Sequence, residues 1–347
     1  MSEMTGIPYL SICLSAAIPA VLYYISVMLS VDLEARRTNL KTVNKEDIPP
    51  LWPTTKRCLP LILPIFTLIS LLVVGYTPLK AALYATIVMI FGSFFSKETR
   101  MNKNRLYEAL TKSSYNSVSV CVACAVCGII TGVITLTGIG LKLSDLILQI
   151  SGGSLLYTLL LTMVASIILG MGLPTTAKYI VLSSIAAPAL VKLGVPLIGA
   201  HLFILYFGVI AEVTPPVALT SYAGAAVAKA PGVETAIQGL KISIGAFFIP
   251  FMFCYYPSLL FVDTSFSGMF FGLFSSFIGL TCLSSASIGY FFGPMKIWLR
   301  VVMFVGVLFV VNPSPVTDIA GVLVILGVFA YQKVYFAKHP KSQYNEQ

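Results

Sequence analysis

The chain has 347 residues, of which 57% are hydrophobic and only 10% charged, with a mean hydropathy of +0.92. Soluble domains are roughly a quarter charged, so this composition excludes an ordinary soluble domain and indicates an integral membrane protein. The net charge of +9 comes from basic residues gathered in loops between apolar runs; it reads as membrane topology, and no nucleic-acid partner is expected.

The apolar runs are continuous rather than alternating, which predicts spanning helices and not a barrel. The first run covers residues 7–30, and a charged segment follows at 31–57. Two more runs, 58–75 and 79–96, are joined by the short turn YTP. The segment KETRMNKNRLYEALTK, residues 97–112, then carries five basic and two acidic side chains. The excess of Lys and Arg puts both charged segments in the cytoplasm, so the first run enters from outside and the N-terminus lies on the outer face.

A fourth run, 117–140, contains Gly128-x3-Gly132, a spacing that suits close helix packing. It also carries Cys121, Cys124 and Cys127, whose C-x2-C-x2-C spacing invites a metal reading. No fourth ligand stands nearby and the surroundings are apolar, so these thiols are expected to be small packing residues. LKLSDLILQISGG reads as an interfacial segment.

Two interruptions follow. One is GMGLPTTAKYI, residues 170–180; the other is EVTPPVAL, residues 212–219. Four regular apolar runs lie beyond them, near 240–262, 268–292, 297–311 and 318–332, before the lysine-containing tail. If 154–192 crossed the membrane twice, that tail would finish outside. Read as a re-entrant hairpin, 154–192 lets 197–230 cross inward as one helix broken at Thr214, Pro215 and Pro216, and the tail reaches the cytoplasm.

Irregular backbone at membrane depth survives only inside protein or beside a watery cavity. The tip offers Gly170 and Gly172, freed carbonyls, and the hydroxyls of Thr175 and Thr176. Pro215 and Pro216 lack N–H groups, so carbonyls one turn earlier lose their helical partners. With the Thr214 hydroxyl, these oxygens suit a hard cation such as sodium. Helix N-termini near Thr176 and Val217 suit a carboxylate. Glu212 is a candidate for proton or ion coupling, since a carboxylate at that depth is costly. Lys178 has three readings: snorkelling, pairing with Glu212, or attracting an anionic substrate. His201 is expected to be a buried hydrogen-bonding residue. Proline kinks that merely fit helices to a bundle are the competing reading of each break.

The stretches LGMGLPTTAKYIVL, APALVKLGVPLIGAHLFILYFGVIAEVTPPVALTSYAGAAVA and GAFFIPFMFCYYPSLL resemble the fused permease of TRAP transporters, the tripartite ATP-independent periplasmic systems. The opening MTGIPYLSICLSAAIPAVLYYISVMLSVDLEARR resembles the same permease further upstream, so the likeness covers about residues 3–262. The resemblance implies an all-α, polytopic, elevator-type ion transporter, here with about nine spanning helices, one re-entrant hairpin and an incomplete inverted repeat. It also implies that the chain starts as the first repeat ends. On that basis 1–30 is the final helix of the first repeat, 31–57 a cytoplasmic arm, and 58–112 a helical pair with its basic loop. Residues 113–262 form the second transport repeat, and 263–347 the C-terminal helices and cytoplasmic tail.

The family's second hairpin tip would fall on Gly170, Gly172, Pro174, Thr175 and Thr176, and its second broken helix on Thr214, Pro215 and Pro216. Ion binding is assigned to Gly170, Gly172, Thr175, Thr176, Thr214 and Pro215, and substrate binding to Pro174, Lys178 and Pro216. The residue after PTTA is commonly small in the family, whereas here it is Lys178. The expected function is ion-gradient-driven uptake of an organic acid across a bacterial or archaeal inner membrane. The expected partners are a TAXI-type periplasmic solute-binding protein and a companion chain supplying the first repeat and small subunit. A truncated, non-transporting membrane protein is the alternative. Enzyme motifs such as H-E-x-x-H and G-x-S-x-G are absent, and no cofactor beyond sodium is implied.

Overall fold

In the computed structural model, which describes residues 1–40, 48–94, 100–262, 266–311 and 315–338, the chain is an all-α polytopic membrane protein. Among the described residues the one extended pairing is a bridge between Tyr290 and Pro294. The helices fall into two compact units, Met1–Cys13 with Lys41–Val122 and Leu14–Leu40 with Ala123–Gln347.

A single turn, α1 (Ser2–Thr5), precedes α2 (Tyr9–Arg37). The apolar pattern predicts that α2 ends near residue 30, yet it continues through the charged residues to Arg37. Pairs at helical spacing carry it on: Arg36 to Asp32 at 2.9 Å and Arg37 to Glu34 at 2.6 Å. Both arginines lie in the last turn, where the helix dipole favours positive charge.

In the first unit, α3 (Leu51–Val73) packs against α4 (Pro78–Ser93) across the expected short turn. Gly75 supplies the turn's left-handed residue at φ +95, and Pro78 opens α4, where a missing N–H costs nothing. Ala81, Ala85 and Gly92 give α4 a buried face of small residues. The next helix, α5 (Lys103–Thr137), begins inside the basic segment, its Arg105 N–H capped by Asn102 Oδ1 at 2.8 Å. The remaining parts of the charged segments, 41–47 and 95–99, and the tail 339–347 lie outside the described residues.

In the second unit, α6 (Ile139–Ile150) turns by 76° from Cys124–Thr137 at Gly138, whose φ is +65. The segment expected at the interface is therefore a helix. It packs on α8 (Thr175–Lys192), where Ser144 donates to the Ile185 carbonyl at 2.7 Å and Lys192 meets Asp145 at 2.7 Å. Between them in sequence runs α7 (Leu155–Gly170), which contacts both α8 and α9 (Leu197–Ile210). Then follow α10 (Leu219–Ala228), α11 (Gly232–Ile242), α12 (Gly245–Tyr255), α13 (Phe266–Ile288), α14 (Ile297–Val311) and α15 (Pro315–Lys338).

Among the described residues three stretches are long and apolar enough to cross a membrane: Tyr9–Arg37, Gly232–Tyr255 and Ser267–Ile288. The bent pair at Gly138 makes a fourth if counted as one. Others among the described residues, such as Pro78–Ser93, Leu155–Gly170 and Leu197–Ile210, are apolar helices of 10–17 residues, shorter than a full crossing. The span expected from 240 starts at 232, because Lys229 in the left-handed region and Pro231 close α10 early.

The core of this unit is aromatic. Phe203 lies 4.8 Å from Phe207 and 5.5 Å from Phe251, joining α9 to α12. Among the described residues an added Cβ at Gly128 or Gly132 would meet nothing within 4 Å, so the closest helix approach lies elsewhere. It occurs at Gly245, whose missing Cβ leaves room for Ser26 of α2, and at Gly279, which faces the Phe248 ring. The thiol reading divides by position: Cys127 is buried, Cys124 half-buried and Cys121 exposed, and the described residues contain no metal-binding cluster. Gly245→Ala is expected to force α2 away from α12 at a cost of about 1–3 kcal/mol, read as a lower melting temperature. Adding Ser26→Gly, which removes the clashing hydroxyl, should recover part of that loss.

Candidate functional site

The hairpin tip is built by residues that refuse the helix. α7 ends at the buried Gly170, and Met171 leaves helical geometry with φ −67 and ψ 128. Gly172 sits at φ +76, a left-handed conformation that a side chain would strain. Pro174 caps α8 in an extended conformation (φ −57, ψ 146), and its carbonyl accepts from Lys178 N–H at 3.0 Å. Leu173 and Thr176 are exposed, so one side of the tip is open.

The second interruption is longer than one kink. α9 stops at Ile210, and helix resumes only at Leu219, after a cis Pro215–Pro216 bond and Ala218 at φ +38. The polar groups in between are largely taken up locally. Thr214 donates both its N–H (3.1 Å) and its hydroxyl (2.8 Å) to the Ile210 carbonyl. The Glu212 carbonyl, expected to be freed by Pro216, is recaptured by the Thr220 N–H at 3.4 Å and hydroxyl at 3.1 Å. The eight-residue break is long enough for the start of α10 to fold back on it. Among the described residues no donor reaches the carbonyls of Ala211, Val213, Pro215 and Val217, and of these residues Ala211 is the buried one, at 1% exposure.

Tip and break meet through charge. Lys178 reaches from the first turn of α8 to place its ammonium 2.7 Å from Glu212 Oε1. The Thr175 hydroxyl donates to the same oxygen at 2.9 Å. The lysine side chain is 1% exposed and the glutamate side chain 31%, so the pair is sealed on one side and open on the other. Of the three readings of Lys178, the structure therefore shows pairing.

The lysine stem is housed by two glycines. A Cβ at Gly170 would lie 3.6 Å from Lys178 Cδ, and one at Gly208 would lie 3.7 Å from the same atom. Gly208 was not legible as a site residue, since it sits in an unbroken apolar helix and carries no chemistry of its own. One residue further along α8, Tyr179 hydrogen-bonds His201 Nδ1 at 2.6 Å, with both side chains buried. His201 is thus a buried hydrogen-bonding residue, as expected.

Of the residues singled out in the sequence, Gly170, Thr175, Lys178 and Glu212 are drawn into one cluster. Pro174 and Gly172 shape the tip, while Pro215 and Pro216 shape the break. Among the described residues no hydrogen bond joins Thr176 or Thr214 to the cluster.

The family described as Tripartite ATP-independent periplasmic transporter, DctM component, matches residues 1–267. The chain belongs to this family. No curated protein compared with the chain matches it, and no solved structure does. As a DctM permease it is a membrane-embedded transporter component that works with a periplasmic binding protein.

The Lys178–Glu212 pair gives the permease a measurable constraint. Removing one partner of a buried pair strands the other charge. Glu212→Gln is expected to destabilise the chain by roughly 3 kcal/mol, the low end for buried pairs because Glu212 keeps 31% exposure. Adding Lys178→Met to that variant should restore stability, measured as a double-mutant cycle in thermal melts.

Proposed function

We propose that this DctM permease carries out ion-gradient-driven uptake of an organic acid, and that the junction between hairpin tip and helix break is where ion and substrate are handled. The observation that carries this reading is the meeting of two interrupted helices at a buried lysine–carboxylate pair with one open side. Discontinuous helices that bring backbone and side-chain oxygens together are the usual architecture of secondary-transporter sites. The ion, sodium by the chemistry of the donors, is assigned to oxygens around Gly170, Gly172, Thr175, Thr176, Thr214 and Pro215. The buried Ala211 carbonyl adds an unclaimed donor atom to that set. A carboxylate substrate is assigned to Pro174, Lys178 and Pro216, on and beside the exposed rim, and Glu212 to coupling.

The partners proposed with it are a TAXI-type solute-binding protein that delivers the acid and a first-repeat and small-subunit portion of the permease. The setting proposed is a bacterial or archaeal inner membrane, with hairpin 154–192 entering from outside, the N-terminus outside and the C-terminus in the cytoplasm. Charged residues at the ends of α2 and α5 on one side of their apolar stretches support that orientation.

Uptake of a labelled organic acid tests the reading, in cells carrying the chain with the binding protein and the remaining permease portions. Uptake should follow an imposed sodium or proton gradient, and Thr175→Ala should lower it about tenfold, the effect of losing one well-placed hydrogen bond of ~1.4 kcal/mol. No uptake with every partner present would leave a non-transporting membrane protein. An unchanged pH dependence in Glu212→Gln would remove Glu212 as a proton carrier.

A further inference from the structure

Lys178 brings a monovalent cation into the junction on a tether. Its ammonium is 2.7 Å from Glu212 Oε1, and the same oxygen accepts the Thr175 hydroxyl at 2.9 Å. A carboxylate and a hydroxyl are the hard oxygen ligands that a free alkali cation would take. The stem reaches Glu212 past Gly170 on α7 and Gly208 on α9. The Ala211 side chain lies against the same point as the stem, since a Cβ at Gly170 would be 3.4 Å from Ala211 Cβ. Three helices, α7, α8 and α9, and the break that follows α9 thus converge on a charged group that is 1% exposed.

A carboxylate at membrane depth needs a counter-charge close by. A diffusing ion supplies it only when the ion is present and captured, whereas a tethered ammonium is always within reach. We infer that Lys178 is the resident cation of this junction: its ammonium holds the place against Glu212 Oε1 that free sodium would otherwise take. The tip then stays joined to the break without sodium. This rests on reading the junction as the permease's cation site and narrows it. While the lysine is in place, Glu212 Oε1 is not a ligand for a diffusing ion. The driving ion is left to Thr176, Thr214 and the Ala211 carbonyl, or to the rest of the permease.

The test is thermal unfolding of the purified full chain in detergent, in about 100 mM sodium chloride and in the same concentration of potassium chloride. Lys178→Met keeps the stem between the two glycines and vacates the ammonium position. It is expected to gain a sodium-specific rise in melting temperature about 2–4 °C larger than that of the wild type, as ligand binding to the folded state requires. Lys178→Met combined with Glu212→Gln should lose that extra rise. A variant that can be isolated only in sodium supports the inference in the same way. A sodium-specific shift in Lys178→Met no larger than the wild-type shift overturns it. So does failure of Lys178→Met to fold in either salt while the double variant folds, because a free cation then cannot stand in for the ammonium. Should the Met side chain itself prevent folding, Lys178→Ala replaces it with the same two outcomes. The measurement requires no transport, so it can fail while uptake is observed, and uptake can fail while it succeeds.

Discussion

A single buried ion pair holds together the two places where this protein departs from regular helix. Lys178 comes from the start of one half-helix and Glu212 from the end of another, 34 residues away. The pair and the Thr175 hydroxyl bonded to the same carboxylate oxygen tie the tip of the hairpin to the start of the helix break, on top of the packing of α7 and α8 against α9. Gly170 and Gly208 flank the lysine stem, where a Cβ would meet it at ordinary contact distance.

The energetics of such a pair are finely balanced. Taking two charges out of water costs several kcal/mol each, and their attraction repays this only if further hydrogen bonds complete the geometry. Here Thr175 adds one such bond to the carboxylate, and the 31% exposure of Glu212 lets water take part in its solvation. The backbone around the pair follows the same economy. Thr214 gives both donors to Ile210, and Thr220 returns to Glu212, so part of the eight-residue interruption is satisfied locally. Irregular backbone in a membrane protein is tolerated on those terms.

The sequence makes the positions of the breaks legible because glycine and proline act locally. Gly172 and Pro174 determine where α7 stops and α8 starts, and Pro215 and Pro216 forbid a continuous helix from 197 to 228 whatever packs around them. What the sequence left open was tertiary. Three roles for Lys178 were compatible with its neighbours, and only the approach of α9 to α8 decides among them. The recapture of the Glu212 carbonyl depends on how far the chain folds back after Pro216, which no local pattern specifies. Gly128 and Gly132 carry the expected helix-packing spacing yet face no close neighbour, while the tight contacts lie at Gly245 and Gly279, outside any such motif. The extension of α2 to Arg37 came from charged pairs that a hydropathy reading counts against a helix.

The pair also constrains how an anionic substrate could use Lys178. One ammonium cannot fully neutralise two carboxylates, and at 1% exposure it cannot borrow much solvent to do so. If a substrate carboxylate approaches from the open side, it meets a lysine already bonded to Glu212. Binding then requires that Glu212 gain a proton or another cation, or that its second oxygen turn outward to the water that its partial exposure admits. Either event loosens the link between tip and break. Under the proposed role of Lys178, therefore, substrate attraction and the link between tip and break would draw on the same charge.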